Sequence, residues 1–292
     1  MKKNILWIVL LLLFASCEKD EPRGNIGSVE IKAYPIDNKV TFSVTAYAAS
    51  NITVDWGDGT TEKFDVLSNF KHEYSNSEIQ TIRITAETLT GLSVSYGNFE
   101  ELKLRNCLDL KYLSCYLLNL KEIDIAEAKN LEELYCDDNQ LTALDISKNT
   151  SLTTLECRRN QLTNLDLNNN TTLMLLYCEQ NQLTSMEVSN CTALLSFDCS
   201  FNQLTSLEVN NCTALNTLSC GWNQLTSLKL IGNTNLDYIQ CNDNQLTAAT
   251  LNSLFESLPT LTYSGSIVIG ENPGTLEADR LIATSKGWRV KD

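Results

Sequence analysis

The tetrad Asn-Gln-Leu-Thr begins at Asn139, Asn160, Asn181, Asn202, Asn223 and Asn244, each start 21 residues after the one before. A strict period of that length predicts a solenoid, because one unit is too small to bury its own apolar side and a core forms only when units stack. In the unit from Leu152 to Asn170, Leu155 and Cys157 are two residues apart and face the same way along a strand, inward. Leu165 and Leu167 repeat that spacing and predict a second short extended segment across the coil. Asn160 falls at the bend after the first strand. Its amide can bond backbone groups that a buried turn leaves unpaired. Stacked coil on coil, such asparagines predict a ladder.

The unit Leu-x-x-Leu-x-Leu-x-x-Asn-x-Leu-x-x-Leu-Asp-Leu-x-x-Asn resembles the bacterial leucine-rich repeat class with a nested 21-residue repeat, over more than half of the chain. The chain departs from that pattern by placing cysteine at the third apolar position, at Cys115, Cys136, Cys157, Cys178, Cys199, Cys220 and Cys241. The first units are degenerate: Leu118 stands where the bend asparagine belongs, and Leu89, Leu92 and Val94 begin a starter coil. The resemblance implies a parallel sheet lining a concave face, which members of the family use to bind other molecules.

Side chains flanking the inward leucine and cysteine point to the opposite side of the strand. That rule places Tyr112, Tyr116, Tyr135, Arg158, Tyr177 and Tyr238 on the concave face, with Arg159, Phe201 and Trp222 just past the strands. Acids are interleaved with them, including Glu133, Asp137, Glu156, Glu179 and Asp198. Aromatics and arginine among acids are what protein interfaces favour, and stacked tyrosines also suit sugar rings. The competing reading is that the aromatics only pack across strands and stabilise the sheet.

A net charge of −14 argues against nucleic acid or an anionic membrane face as partner. It suits an exported protein kept soluble and monomeric. Of eleven cysteines, the seven named above take a leucine position where a small apolar group fits. Cys107, Cys191 and Cys212 share a second register, held elsewhere by Asn149, Asn170 and Asn233, where the thiol replaces a bend amide. With no Cys-x-x-Cys and a single histidine, His72, outside the repeats, no metal site and no cofactor are expected. Asp124, Asp145, Asp166, Glu187 and Glu208 recur at one register, with Lys103 and Lys229 at its ends. Carboxylates stacked about 5 Å apart repel. Calcium would relieve that, but no chelating spacing accompanies them, and a solvated face is the better account.

Residues 1–16 combine Lys2 and Lys3 with an apolar run from Ile5 to Phe14, too short for the roughly 20 residues that span a bilayer. Leu13-Phe-Ala-Ser-Cys17 resembles a bacterial lipobox, which implies a lipoprotein signal peptide, lipidation at Cys17 and membrane attachment through the acyl chains. The charged tether 17–26 contains Lys19-Asp20-Glu21, similar to the export tag of certain Gram-negative surface lipoproteins. From Gly27 to about Ala86 the period becomes two, at Val29/Ile31, Val40/Phe42/Val44, Ile52/Val54 and Ile82/Ile84. With Asp55-Trp56-Gly57-Asp58-Gly59-Thr60 and His72-x-Tyr74, this segment resembles the PKD family of immunoglobulin-like sandwiches, though Ser75 to Glu78 replaces the family's usual glycine. His72 is expected to be packed in that sandwich. Placed just before Leu89, the sandwich also shields the open end of the solenoid.

Beyond the last tetrad, Leu251, Leu254, Phe255 and Leu258 follow helical spacing up to Pro259. A strand at Ser266–Ile269, a turn at Asn272-Pro273-Gly274 and a helix from a Thr275 cap to about Lys286 are expected to follow, and Trp288 and Val290 close the lid. The expected fold is β-rich: an immunoglobulin-like (PKD-like) β-sandwich over 27–87, a leucine-rich-repeat parallel β solenoid over 88–250, and a small α/β C-terminal cap over 251–292. One histidine outside the repeats cannot assemble a Ser-His-Asp or Cys-His site around them. The sequence therefore points to a non-enzymatic, monomeric, lipid-anchored outer membrane protein, displayed on the cell surface, that binds a protein or glycan ligand. The alternative is a periplasmic or outer-membrane scaffold serving the cell's own machinery.

Overall fold

The computed structural model describes residues 26–36, 39–47, 50–64, 69–95 and 98–292. The leader, Cys17 and the tether up to residue 25 lie outside the described residues, whereas Ile26, expected in the tether, opens the first strand. The chain divides into two compact units, Met1–Leu152 and Thr153–Asp292. No helix of the described residues is long and apolar enough to cross a membrane.

The first unit holds two sheets. One runs in the order Thr61–Phe64, Ser50–Asp55, Gln80–Glu87, Ile26–Ala33, Phe99–Arg105, Glu122–Asp124. The other runs Asn69–Glu73, Lys39–Tyr47, Gly91–Ser95, Tyr112–Cys115, Glu133–Tyr135. The period-two residues Val29, Ile31, Val40, Ile52, Val54, Ile82 and Ile84 are all buried, as alternation requires of strands with one wet face.

The expected boundary at 87/88 interrupts neither sheet. Gly91–Ser95 pairs antiparallel with Lys39–Tyr47 on one side and parallel with Tyr112–Cys115 on the other. Phe99–Arg105 likewise pairs antiparallel with Ile26–Ala33 and parallel with Glu122–Asp124. These two strands finish the antiparallel part and begin the parallel coils. The edges that an isolated first coil would expose are thereby paired.

In the second unit, Thr154–Glu156, Leu175–Tyr177, Ser196–Asp198, Thr217–Ser219 and Tyr238–Gln240 pair in parallel, in sequence order. The register is fixed: Leu155 lies beside Leu176, which lies beside Phe197, then Leu218, then Ile239. The second extended segment forms hydrogen-bonded strands here at Ser206–Glu208 and Ser227–Lys229. Cys157, Cys178, Cys199, Cys220 and Cys241 are fully buried behind the sheet.

The cap departs from the sequence reading. After the helix Ala248–Ser257, capped by Thr247, strand Gly265–Val268 pairs in parallel with Tyr238–Gln240, so another coil is present. Asn272 is its bend residue: its Nδ2 donates to the carbonyls of Cys241 at 2.9 Å and Ile269 at 2.8 Å, and its Oδ1 accepts from Leu246 N at 3.0 Å. The second helix is confined to Arg280–Thr284 and is capped by Asp279 rather than Thr275. Thr275 instead donates its hydroxyl to the Ile269 carbonyl at 2.8 Å, inside the coil. Trp288–Lys291 adds a last parallel strand.

Candidate ligand-binding face

The bends set the geometry of this face. Asn202 Nδ2 donates to the carbonyls of Cys178 and Cys199 at 3.1 Å each and Ser200 at 3.2 Å, while its Oδ1 accepts from Leu183 N at 2.9 Å. Asn181, Asn223 and Asn244 repeat this set in the second unit, and Asn139 has it in the first. One side chain thus satisfies backbone groups of its own coil and of the preceding one, as the ladder reading requires. A second register works similarly. Asn149 Nδ2 donates to Ala128 O at 2.8 Å, whereas Cys191 and Cys212 offer only long S–H contacts of 3.8 and 3.9 Å.

The residue just before each bend asparagine adopts left-handed backbone: Asp138, Arg159, Gln180, Phe201, Trp222 and Asp243 have φ between 48° and 58°. Leu117 and Glu271 do the same at the degenerate coils. Asp and Asn accept that conformation readily, whereas a bulky side chain there is costly, about 1–2 kcal/mol. The residue type gives no signal of the conformation, since the six positions hold five different residues and aspartate at only two. Phe201 and Trp222 are therefore kept there against the local preference.

All nine residues of the expected face reach solvent, and their partners differ between the units. In the first unit, Tyr112 and Tyr135 are half-buried with ring centroids 5.4 Å apart, and Tyr135 Oη donates to Glu133 at 2.7 Å. Tyr116 is exposed. In the second unit, Arg158 lies 4.5 Å above the Tyr177 ring and is held by Glu156 and by Glu179, the latter at 2.7 Å. Arg159 is exposed at its bend. Phe201 and Trp222 are 44% and 39% exposed and stack with centroids 4.4 Å apart and planes 6° from parallel. Tyr238 is half-buried, its hydroxyl 3.5 Å from Gln240. Rings lying along one line are what equal-length coils produce when the same register position is aromatic in successive units.

The other candidate features resolve locally. His72 Nε2 lies 2.7 Å from Asp58, and its ring stacks on buried Trp56 at 4.6 Å. Tyr74 Oη donates to Trp56 O at 3.0 Å. Burial opposes ionisation of Asp58, but hydrogen bonds from Thr60 and His72 outweigh it and bring its pKa down to about 2. The recurrent acids find partners along the coil or in a neighbouring one: Asp145 accepts from Ser147 N and Asp166 from Asn168 N, each at 2.9 Å, and Asp124 pairs with Arg105 of the preceding coil at 2.6 Å. Glu208 pairs with Lys229. Among the described residues no group of three or more His, Cys, Asp or Glu side chains could hold a metal. Burial pushes the Cys107 and Cys241 thiols up to about 12 and Cys191 up to about 11.

No family model and no curated protein matches the chain. Among solved structures, the leucine-rich repeat domain of APL1B aligns with a TM-score of 0.54 and 17% identity over 63% of this chain and 57% of that one. The fold is thus that of a leucine-rich repeat domain. A functional domain of InlJ from Listeria monocytogenes, described as including a cysteine ladder, is 26% identical with a TM-score of 0.44, covering 71% of this chain and 55% of that one. YopM, a leucine-rich effector protein from Yersinia pestis, is 25% identical with a TM-score of 0.44 over 56% of this chain and 44% of that one. The chain spans little more than half the length of the first two.

Proposed function

We propose that this protein is a non-enzymatic binding module, anchored by lipid at Cys17 and displayed on the outer surface of the outer membrane. It captures a protein ligand through the outward side of its parallel sheet. The observation that carries this reading is the Phe201–Trp222 stack, well exposed on backbone that disfavours bulky residues. Rings packed only to stabilise a sheet would be covered, and would not be placed where the backbone penalises them. Exposed aromatic anchors, with an arginine clamped over Tyr177 on earlier coils, form the composition that interfaces concentrate at their centres. The leucine-rich repeat fold supports a protein ligand over the alternative glycan.

In this reading residues 27–87 form a PKD-like sandwich that spaces the repeats from the membrane. The antiparallel strands, the Asp55–Thr60 turn and the Tyr74–Trp56 bond support that assignment. The protein acts as a monomer, its net charge of −14 keeping copies apart. Two measurements test the proposal. Protease added to intact cells should remove the protein. Replacing Tyr135, Tyr177 and Trp222 together by alanine should abolish capture of a partner from the surroundings while the unfolding midpoint holds. Capture unaffected by the triple variant would move the site elsewhere.

A further inference from the structure

The chemistry of the second unit's outward side changes beyond Tyr177. In the first two coils Arg158 pairs with both Glu156 and Glu179. In the next four coils, residues 196–201, 217–222, 238–243 and 265–271 contain Asp198, Asp243 and Glu271 and no lysine or arginine. One Asp198 oxygen accepts from Ser200 N at 2.9 Å. Alongside are the small residues Ser200, Ser219 and Gly221, and the exposed Phe201–Trp222 stack.

Asn242 gives an independent sign of a missing donor. It is 8% exposed and leans its amide over Gly221, where a Cβ would lie 2.9 Å from Oδ1. Its Nδ2 donates to Asp243 at 2.6 Å, which orients that carboxylate, but Oδ1 accepts no hydrogen bond. Native proteins seldom leave a buried amide oxygen without a donor. Flipping the amide would turn Oδ1 toward the Asp243 carboxylate and does not relieve it.

We propose that this stretch receives a cationic side chain, an arginine or lysine presented by the partner protein. The cation lies against the Phe201–Trp222 pair, indole being the aromatic face that attracts cations best. Its N–H groups are shared by Asp198, Asp243 and the Asn242 carbonyl; the cations on this side, Arg289 and Lys291, lie on the last strand, beside Ser266 and Val268. An anionic group is repelled by the same carboxylates. A neutral hydroxyl would leave their charge uncompensated. The inference rests on the outward side being the binding face and adds the chemistry of what binds.

The probe is a fluorescein-labelled hexa-arginine peptide, followed by anisotropy with the whole protein at low and high salt. Saturable binding is expected, weakening as salt rises. It should fall about tenfold in Phe201→Ala/Trp222→Ala, the size of one desolvated cation–π contact. Asp198→Asn/Asp243→Asn should lower it similarly. Asp166→Asn/Glu187→Gln, which removes two acids from the other extended segment, should leave it unchanged. Hexa-glutamate should not bind. The proposal is overturned if the Asp166/Glu187 variant weakens binding as much as the Asp198/Asp243 variant, since the acidic surface alone then attracts the peptide. It is equally overturned if hexa-arginine fails to bind, or if neutral oligosaccharides displace it. Should hexa-arginine fail while the Tyr135/Tyr177/Trp222 variant still loses its natural partner, the face stands and only the cation assignment falls.

Discussion

Replacing Asn202 by alanine removes, in one step, both Nδ2 donors, which are shared among three carbonyls, and the Oδ1 acceptor of one N–H. Asn202 is 8% exposed, so water cannot replace them. The Cys178 carbonyl and the Leu183 N–H are left without that partner inside the core, and each such group costs about 1–3 kcal/mol. The expected loss is about 3–5 kcal/mol, large against the total stability of an ordinary domain. Asn202→Asp should be at least as damaging, because it keeps the acceptor but sets a carboxylate against three carbonyl oxygens. Gln203→Ala, one residue on and exposed, should stay within about 0.5 kcal/mol of the parent. Urea denaturation followed by circular dichroism measures all three. Hydrogen exchange should show the Leu183 amide losing protection first. An Asn202→Ala protein unfolding at the parental midpoint would refute the idea that these side chains hold the bends.

Three further outcomes follow from the same geometry. Asp58 has a depressed folded pKa of about 2, so the stability it contributes is present above the unfolded value near 4 and is lost as pH falls through about 2. Asp58→Asn should flatten that acid limb of the stability profile. The described cysteines are all buried, so an aromatic disulfide reagent at pH 8 should modify none of those ten in the native state and all of them in denaturant. The raised thiol pKa values of Cys107 and Cys241 add stability below the unfolded value near 9, lost as pH rises beyond it. Phe201→Gly should lie within about 1 kcal/mol of the parent, since relief of the left-handed backbone offsets the lost ring contact. Fully buried Phe197→Ala should cost about 3–5 kcal/mol by the same denaturation assay.

The repeat was legible because its physics is periodic. Leucine at 155 and cysteine at 157 can share one side only in a strand, and a polar asparagine every 21 residues in an apolar context needs backbone partners. The orientation of Tyr135, Tyr177 and Tyr238 follows from the same alternation. What the sequence concealed lies where the period breaks. Asn272 follows Asn244 by 28 residues rather than 21, because the helix Ala248–Ser257 is inserted, and a fixed-period reading passes over it. Thr275 resembles a helix cap in sequence, but the coil uses its hydroxyl first. The left-handed residue before each asparagine carries no signature, since Arg159, Gln180 and Trp222 are not types that the conformation selects. The strands Gly91–Ser95 and Phe99–Arg105 belong to antiparallel and parallel partners at once, a role that alternation along a single strand cannot reveal.

Trp222 supplies its own readout, since it is 39% exposed whereas Trp56 and Trp288 are 0% and 2% exposed. Quenching its emission with acrylamide, with and without a captured partner at saturation, measures directly whether the outward side is covered. The account predicts a shifted emission maximum and a fall in the exposed fraction when the partner binds. An unchanged spectrum and undiminished quenching with the partner bound would contradict it.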